Sequence, residues 1–337
     1  MTTEQQRTTP GSERSGGGAS VGWAAHSKKG KLTVSRKGWL LFIALCVIWG
    51  MPYLFIRIAV RELPPPALVL LRTAPSALLL LPFAFRGGSL RPLLTRWRWV
   101  LVYTVVELCL PWLLLAHAEE RISSSLAGLL IATVPLIAAV LYRAAGTAER
   151  FDARRLAGLA IGFAGVAALV GIDLSGNDPL AIAEMGIVAL CYATGPLLIS
   201  RYLADLRAIG VITASLVVTA VLYAPAGIAT MPSSLTAATI GSVAALAVVC
   251  TVAAFLVFFA LIREVGPART TVFTYVNPLV AVLLGVALLS EQLTLGIVIG
   301  MPLILVGSVL GTAPSLHPEK DGATAFEDEL GAGPPAP

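Results

Sequence analysis

LAGLLIATVPL (residues 126–136), a short polar patch containing Glu149, and RRLAGLAIGFAG (154–165) form the stretch that decides the fold of this 337-residue chain. A close copy returns as TVFTYVNPL (271–279), a patch containing Glu291, and IVIGMPLILVG (297–307). Pro135 thus answers to Pro278, Glu149 to Glu291, Gly158 to Gly300 and Gly165 to Gly307, with partners 142 or 143 residues apart. A similar offset carries Ala44-Leu45-Cys46 and Gly50 onto Ala189-Leu190-Cys191 and Gly195. Agreement spread over both halves is hard to obtain from composition alone and reads as an internal duplication.

The composition sets the environment of that duplicated unit. The chain is 57% hydrophobic and 13% charged, with a mean hydropathy of +0.84, far more apolar than the roughly 45 to 50% apolar and about 25% charged of soluble domains. It predicts a protein dissolved in a lipid bilayer. The net charge of +5 does not point to nucleic acid, because Lys and Arg fall in short clusters between apolar runs, as topology signals do. Cys46, Cys109, Cys191 and Cys250 lie within apolar runs without CxxC spacing, and the three histidines are scattered. Neither pattern suggests a metal site, a disulfide framework or a cofactor.

Between a polar tail at residues 1–37 and a Pro, Gly and acidic tail at 313–337, both expected to be disordered and cytoplasmic, ten apolar runs are legible. They cover 38–60, 66–85, 99–118, 122–142, 155–172, 180–201, 208–228, 239–262, 268–290 and 294–312. Each approaches the roughly 20 residues that cross a hydrocarbon core of about 30 Å as a helix, and helices satisfy their own backbone polar groups there. The expectation is an all-α integral membrane protein with an outer linker at 173–179. Repeats of five spans occupy 38–172 and 180–312.

With the N-terminus inside, the inner segments hold Lys28, Lys29, Lys31, Arg36, Lys37, Arg86, Arg91, Arg96, Arg98, Arg143, Arg150, Arg154, Arg155, Arg201, Arg207, Arg263, Arg269 and Lys320. The outer loops hold only Arg61 and Arg121. This asymmetry predicts that both termini are cytoplasmic. Five is odd, so the second repeat is expected upside down relative to the first, giving ten transmembrane helices as two inverted five-helix repeats.

Several features together resemble the EamA family of the drug/metabolite transporter superfamily. They are Trp49-Gly50 in the first span, the Pro-rich turn before Arg72, and the spaced Pro, Glu and Gly pattern of spans four and five with its return in nine and ten. The resemblance covers residues 38–312 and implies a ten-helix secondary transporter in the cell (inner) membrane. A central cavity between the halves is implied too, and many such relatives export amino acids or other small metabolites. No particular substrate follows.

Candidate site residues come from polarity at depth. Glu107, inside YTVVELCLPWLL, is the sharpest: an ionised carboxylate at mid-membrane costs about 2.5 kcal/mol or more unless paired, hydrated or protonated. It reads either as a substrate counter-ion or proton-carrying site facing a wet cavity, or as a buried carboxyl that holds helices together. Arg72 reads as a partner of Glu107, a contact for an anionic solute, or a side chain snorkelling to the headgroups. Arg57 reads as snorkelling.

Trp49, Tyr53, Tyr192, Tyr275 and Asn277 are deep enough to line a cavity, or simply to pack between helices. Pro135 and Pro278 are candidate hinges, or tolerated kinks. Glu149 and Glu291 read as solvated or capping carboxylates, and Glu119-Glu120-Arg121 as a short outer turn.

The leading expectation is a secondary transporter, and more specifically an exporter, of a small organic metabolite such as an amino acid, working by alternating access with protons as a candidate coupling ion. No HExxH, GxSxG or P-loop suggests an enzyme. A channel, or a non-transporting sensor or scaffold, remains an alternative.

Overall fold

The computed structural model describes residues 35–146, 153–172, 178–266, 270 and 272–312. Residues 1–34 of the N-terminal tail, the C-terminal tail, most of the 173–179 linker and Glu149 lie outside them. Arg36 and Lys37, expected in the tail, instead open the first helix because Ser35 caps it. The described residues are helical, and nine helices are long and apolar enough to cross a membrane. We label them, with one shorter apolar helix, α1 (Arg36–Ala59), α2 (Pro65–Arg86), α3 (Arg91–Glu119), α4 (Ser124–Ala144), α5 (Ala153–Gly171), α6 (Pro179–Leu203), α7 (Ala208–Ala229), α8 (Ala237–Val265), α9 (Phe273–Leu289) and α10 (Leu295–Thr312). The expected ten runs therefore appear as nine spans and the 17-residue α9. That helix, about 26 Å long at 1.5 Å per residue, starts five residues later than its apolar run.

Local chemistry sets the helix ends. The hydroxyls of Ser35, Ser123 and Thr236 and the carboxylate of Asp178 accept hydrogen bonds from the first free N–H groups of α1, α4, α8 and α6. Pro64 and Pro65 open α2 with fixed φ. At the end of α9, Ser290 adopts the left-handed conformation (φ 55°), and the Glu291 N–H closes the helix on the Gly285 carbonyl at 3.2 Å.

Several spans are not continuous α-helices. α1 bends at Met51, where Pro52 supplies no N–H to the turn before it. α3 begins as a 3-10 segment, Arg91–Arg96, which explains why it starts eight residues before its apolar run. π-helical turns occupy Val105–Cys109 in α3, Ile199–Leu203 in α6 and Ala245–Ala253 in α8.

The two prolines read as paired kinks are not equivalent in the structure. α4 is interrupted at Ala132 and Thr133, just before Pro135, and the Ala132 carbonyl accepts from Ser308 Oγ of α10 at 3.2 Å. Pro278 instead sits inside a continuous α9.

Glycine governs the closest packing. α5 lies against α10, and a Cβ on Gly158 would fall 2.4 Å from the Gly311 nitrogen, one on Gly307 2.3 Å from the Gly162 nitrogen. α2 packs against α7 in similar fashion, through Gly227 facing Leu70 and Pro66. Without a hydrophobic drive between helices in lipid, such backbone approach supplies dispersion contact. Large apolar side chains cover the outside: Leu78, Val221 and Leu283 are 69%, 69% and 68% exposed, a surface that suits acyl chains and not water.

Candidate functional site

Glu107 lies within the π turn of α3. Its Oε2 is buried with no hydrogen-bond partner among the described residues, and it is seated on the backbone of α6. A Cβ on Gly195 would stand 1.8 Å from that oxygen. Glycine at 195 is thus what admits the carboxylate. π turns expose backbone irregularities that functional sites often use, and here the turn presents a carboxylate to the opposite half of the chain. Tyr103 on α3, Tyr142 on α4 and Cys191 and Tyr192 on α6 are within electrostatic reach of it.

Arg72 is buried, 8% exposed, so it does not snorkel. Nor does it pair with Glu107. Its Nε donates to Thr251 Oγ1 at 3.2 Å, and its Cζ sits 3.7 Å from the centroid of the Trp112 ring. A desolvated guanidinium over an indole is worth roughly 2 kcal/mol. Thr251 lies in the π turn of α8, 144 residues after Glu107. Arg72 therefore engages the residue that stands near the Glu107 position in the second half of the chain.

Tyr192 is electrostatically linked to both Arg72 and Glu107, and Tyr53, also buried, to Tyr192, Arg72 and Glu119. Four of the sequence candidates, Glu107, Tyr192, Arg72 and Tyr53, thus fall in one electrostatic neighbourhood.

The other three candidates have different partners. Trp49 is packed among Phe255, Phe258 and Phe273, with ring centroids 5.8, 5.1 and 4.8 Å away. The Asn277 amide, oriented by its partners, donates to the carbonyls of Phe273 and Cys46 at 3.1 Å each and so ties α9 to α1. The Tyr275 hydroxyl shares a hydrogen bond with Thr312 at the end of α10.

Glu119 and Arg57, outside the candidate set, belong to the same neighbourhood. Glu119, read as part of an exposed turn, is fully buried (0% exposed), and neither carboxylate oxygen has a hydrogen-bond partner among the described residues. Arg57, read as snorkelling, donates from Nη1 to the Glu119 backbone carbonyl. Next to Glu120 and Arg121, Glu119 gives no sequence signal of burial, since a charge run at a helix end is ordinarily solvated.

A separate ion cluster joins α3 to α6. His117 Nδ1 is 2.7 Å from Glu184 Oε1, Arg121 pairs with Glu184, and Arg121 Nε is 3.1 Å from Asp178 Oδ2.

Glu291 is a capping carboxylate, but across the halves. Oε1 accepts from the Ser124 N–H (2.8 Å) and hydroxyl (2.9 Å), and Oε2 from the Ser125 N–H (2.9 Å) and hydroxyl. The positive end of the α4 dipole is thereby satisfied by a residue 167 positions away. Among the described residues no group of three or more His, Cys, Asp or Glu is placed to hold a metal ion.

Comparison with known proteins places these features in a family. The model of the EamA-like transporter family matches residues 36–171 and again 181–312. The chain is 32% identical over 258 residues to the uncharacterized inner membrane transporter YedA of Escherichia coli (strain K12), covering 74% of this chain and 82% of the relative. It is 26% identical over 279 residues to an uncharacterized transporter of Archaeoglobus fulgidus, covering 80% and 97%. A solved crystal structure, 22% identical, superposes with a TM-score of 0.58 over 82% of this chain and 96% of that one, and so shares the fold. Matched in both halves, the chain belongs to the EamA-like transporter family.

Proposed function

We propose that this protein is a secondary transporter of a small organic metabolite, such as an amino acid, across the inner membrane, working as an exporter by alternating access. The observation that carries the reading is the carboxylate of Glu107, held in a π turn and pressed onto Gly195 of the other half of the chain. A membrane protein retains a buried carboxylate at such a contact when the contact has work to do. The names of the relatives agree with transport.

In this reading the two EamA units, 38–172 and 180–312, are inverted repeats with both termini cytoplasmic, and their relative tilting opens one mouth as it closes the other. Glu107 is the coupling or counter-ion carboxylate, with the proton as coupling ion, and Tyr192, Arg72 and Tyr53 line the path beside it. Trp49, Tyr275 and Asn277 shape the adjoining wall. The break before Pro135 is the hinge of α4, while Pro278 in its continuous helix gives a stiffer counterpart.

The reading is tested by a thermal-shift screen of purified protein against amino acids, sugars, nucleosides and amphiphiles. A ligand that binds the native state raises the melting temperature, and the hits are then taken into flux assays in proteoliposomes. Saturable counterflow is the expected result. Unsaturated conduction indicates a channel instead, and no flux across the panel a sensor or scaffold.

A further inference from the structure

Glu119 is a carboxyl group with no evident occupation. It closes α3, is fully buried, and both of its oxygens lack hydrogen-bond partners among the described residues. The neighbouring Arg57 spends its Nη1 donor on the Glu119 backbone carbonyl, not on the carboxylate, and no cation of the described residues lies within ion-pair distance of the carboxylate. The charged and titratable groups that face it are Arg57 and Tyr53 on α1, Arg72 on α2 and Glu291 from the loop after α9.

These neighbours do not hold Glu119 as a fixed ion pair. Glu291 is already engaged by four donors at the start of α4, and its negative charge opposes a second one nearby. Arg72 is committed to Thr251 and to the Trp112 ring. An ionised carboxylate left without donors inside a bilayer costs several kcal/mol, whereas the protonated acid is neutral. Tyr53 and Arg72 are within electrostatic reach of Glu119, and Tyr192 is within reach of Arg72 and Glu107.

We propose that Glu119 carries an exchangeable proton and so is a second proton-binding carboxyl on α3 besides Glu107. The step is protonation and deprotonation of one carboxyl with no change in oxidation state, the proton coming from and returning to water when that end of the bundle opens. The inference rests on the transport reading only for what the protons are used for.

The test is infrared difference spectroscopy of the full-length protein in vesicles, as a function of pH and of transfer into heavy water. Wild type, E119Q, E119D and E107Q are compared, with melting curves to confirm that each folds. The expected result is a protonated-carboxyl band that is absent from E119Q, displaced in E119D and present in E107Q. It should shift in heavy water and fade reversibly as pH rises. Spectra of wild type and E119Q that superpose in this region at every pH would overturn the proposal, leaving Glu119 as a permanent anion beside Arg57. E119D decides the same question should E119Q fail to fold, because a displaced band requires a protonated carboxyl at position 119. A protein that shows the Glu119 band yet carries no solute would refute the transport reading and leave the proton site standing.

Discussion

At Glu107 a carboxylate on α3 and a glycine on α6 are fitted to each other, and the fit makes a test possible. A methyl group at residue 195 would stand 1.8 Å from Oε2. The atom displaced is the end of a flexible side chain, so G195A should leave the melting temperature close to wild type while moving the carboxylate out of its seat. Gradient-driven net flux of solute in proteoliposomes should then fall by at least tenfold. In an E107A background the same G195A change should add little, because there is nothing left to displace, and a double-mutant cycle will show that coupling.

Glu107 is legible in the sequence because a lone carboxylate in an apolar run has no other company. Glu119 is not legible, since burial of a residue flanked by Glu120 and Arg121 depends on helices remote in sequence. The partners of Arg72 are equally remote: Thr251 comes 179 residues later.

Among the elements, helix ends and helix contacts carry the strongest stability predictions. Glu291 supplies the cap of α4 with two backbone and two hydroxyl donors. E291A should lower stability by about 2 to 3 kcal/mol, and S125A, which removes one hydroxyl and spares the backbone contact, by about 1 kcal/mol. Both are read from thermal or denaturant melts in detergent. The α5–α10 contact is equally specific. G307A places a methyl 2.3 Å from the backbone of Gly162, which cannot rotate away, and should destabilise by about 1 to 3 kcal/mol. G186A on α6 meets nothing within 4 Å and should stay within about 0.5 kcal/mol of wild type.

Span positions are visible in sequence because hydrocarbon thickness fixes helix length, and nine of the ten runs return as spans. The π turns, the 3-10 start of α3 and the break before Pro135 follow from tertiary contacts, such as Ser308 taking the Ala132 carbonyl. Pro278 carries the same residue type at the matching place and leaves its helix continuous.

For the whole molecule, duplication is visible in the sequence at a nearly constant offset, and the family model matches once in each half. What the sequence does not reveal is which helices meet. The structure sets α5 against α10 and α2 against α7, pairing elements at the same ordinal place in the two halves. The matched elements pair across the halves while the side chains differ: Glu107 faces Gly195, whereas Thr251 near its matching position receives Arg72.

The measurement that tests this account most directly compares wild type and E107Q in proteoliposomes, using a ligand from the thermal-shift screen. Counterflow is measured without a pH gradient, and net flux with and without one. Saturable counterflow is expected in both proteins, and gradient-dependent net flux in wild type only. Net flux in E107Q that responds to the pH gradient as wild type does would contradict this account.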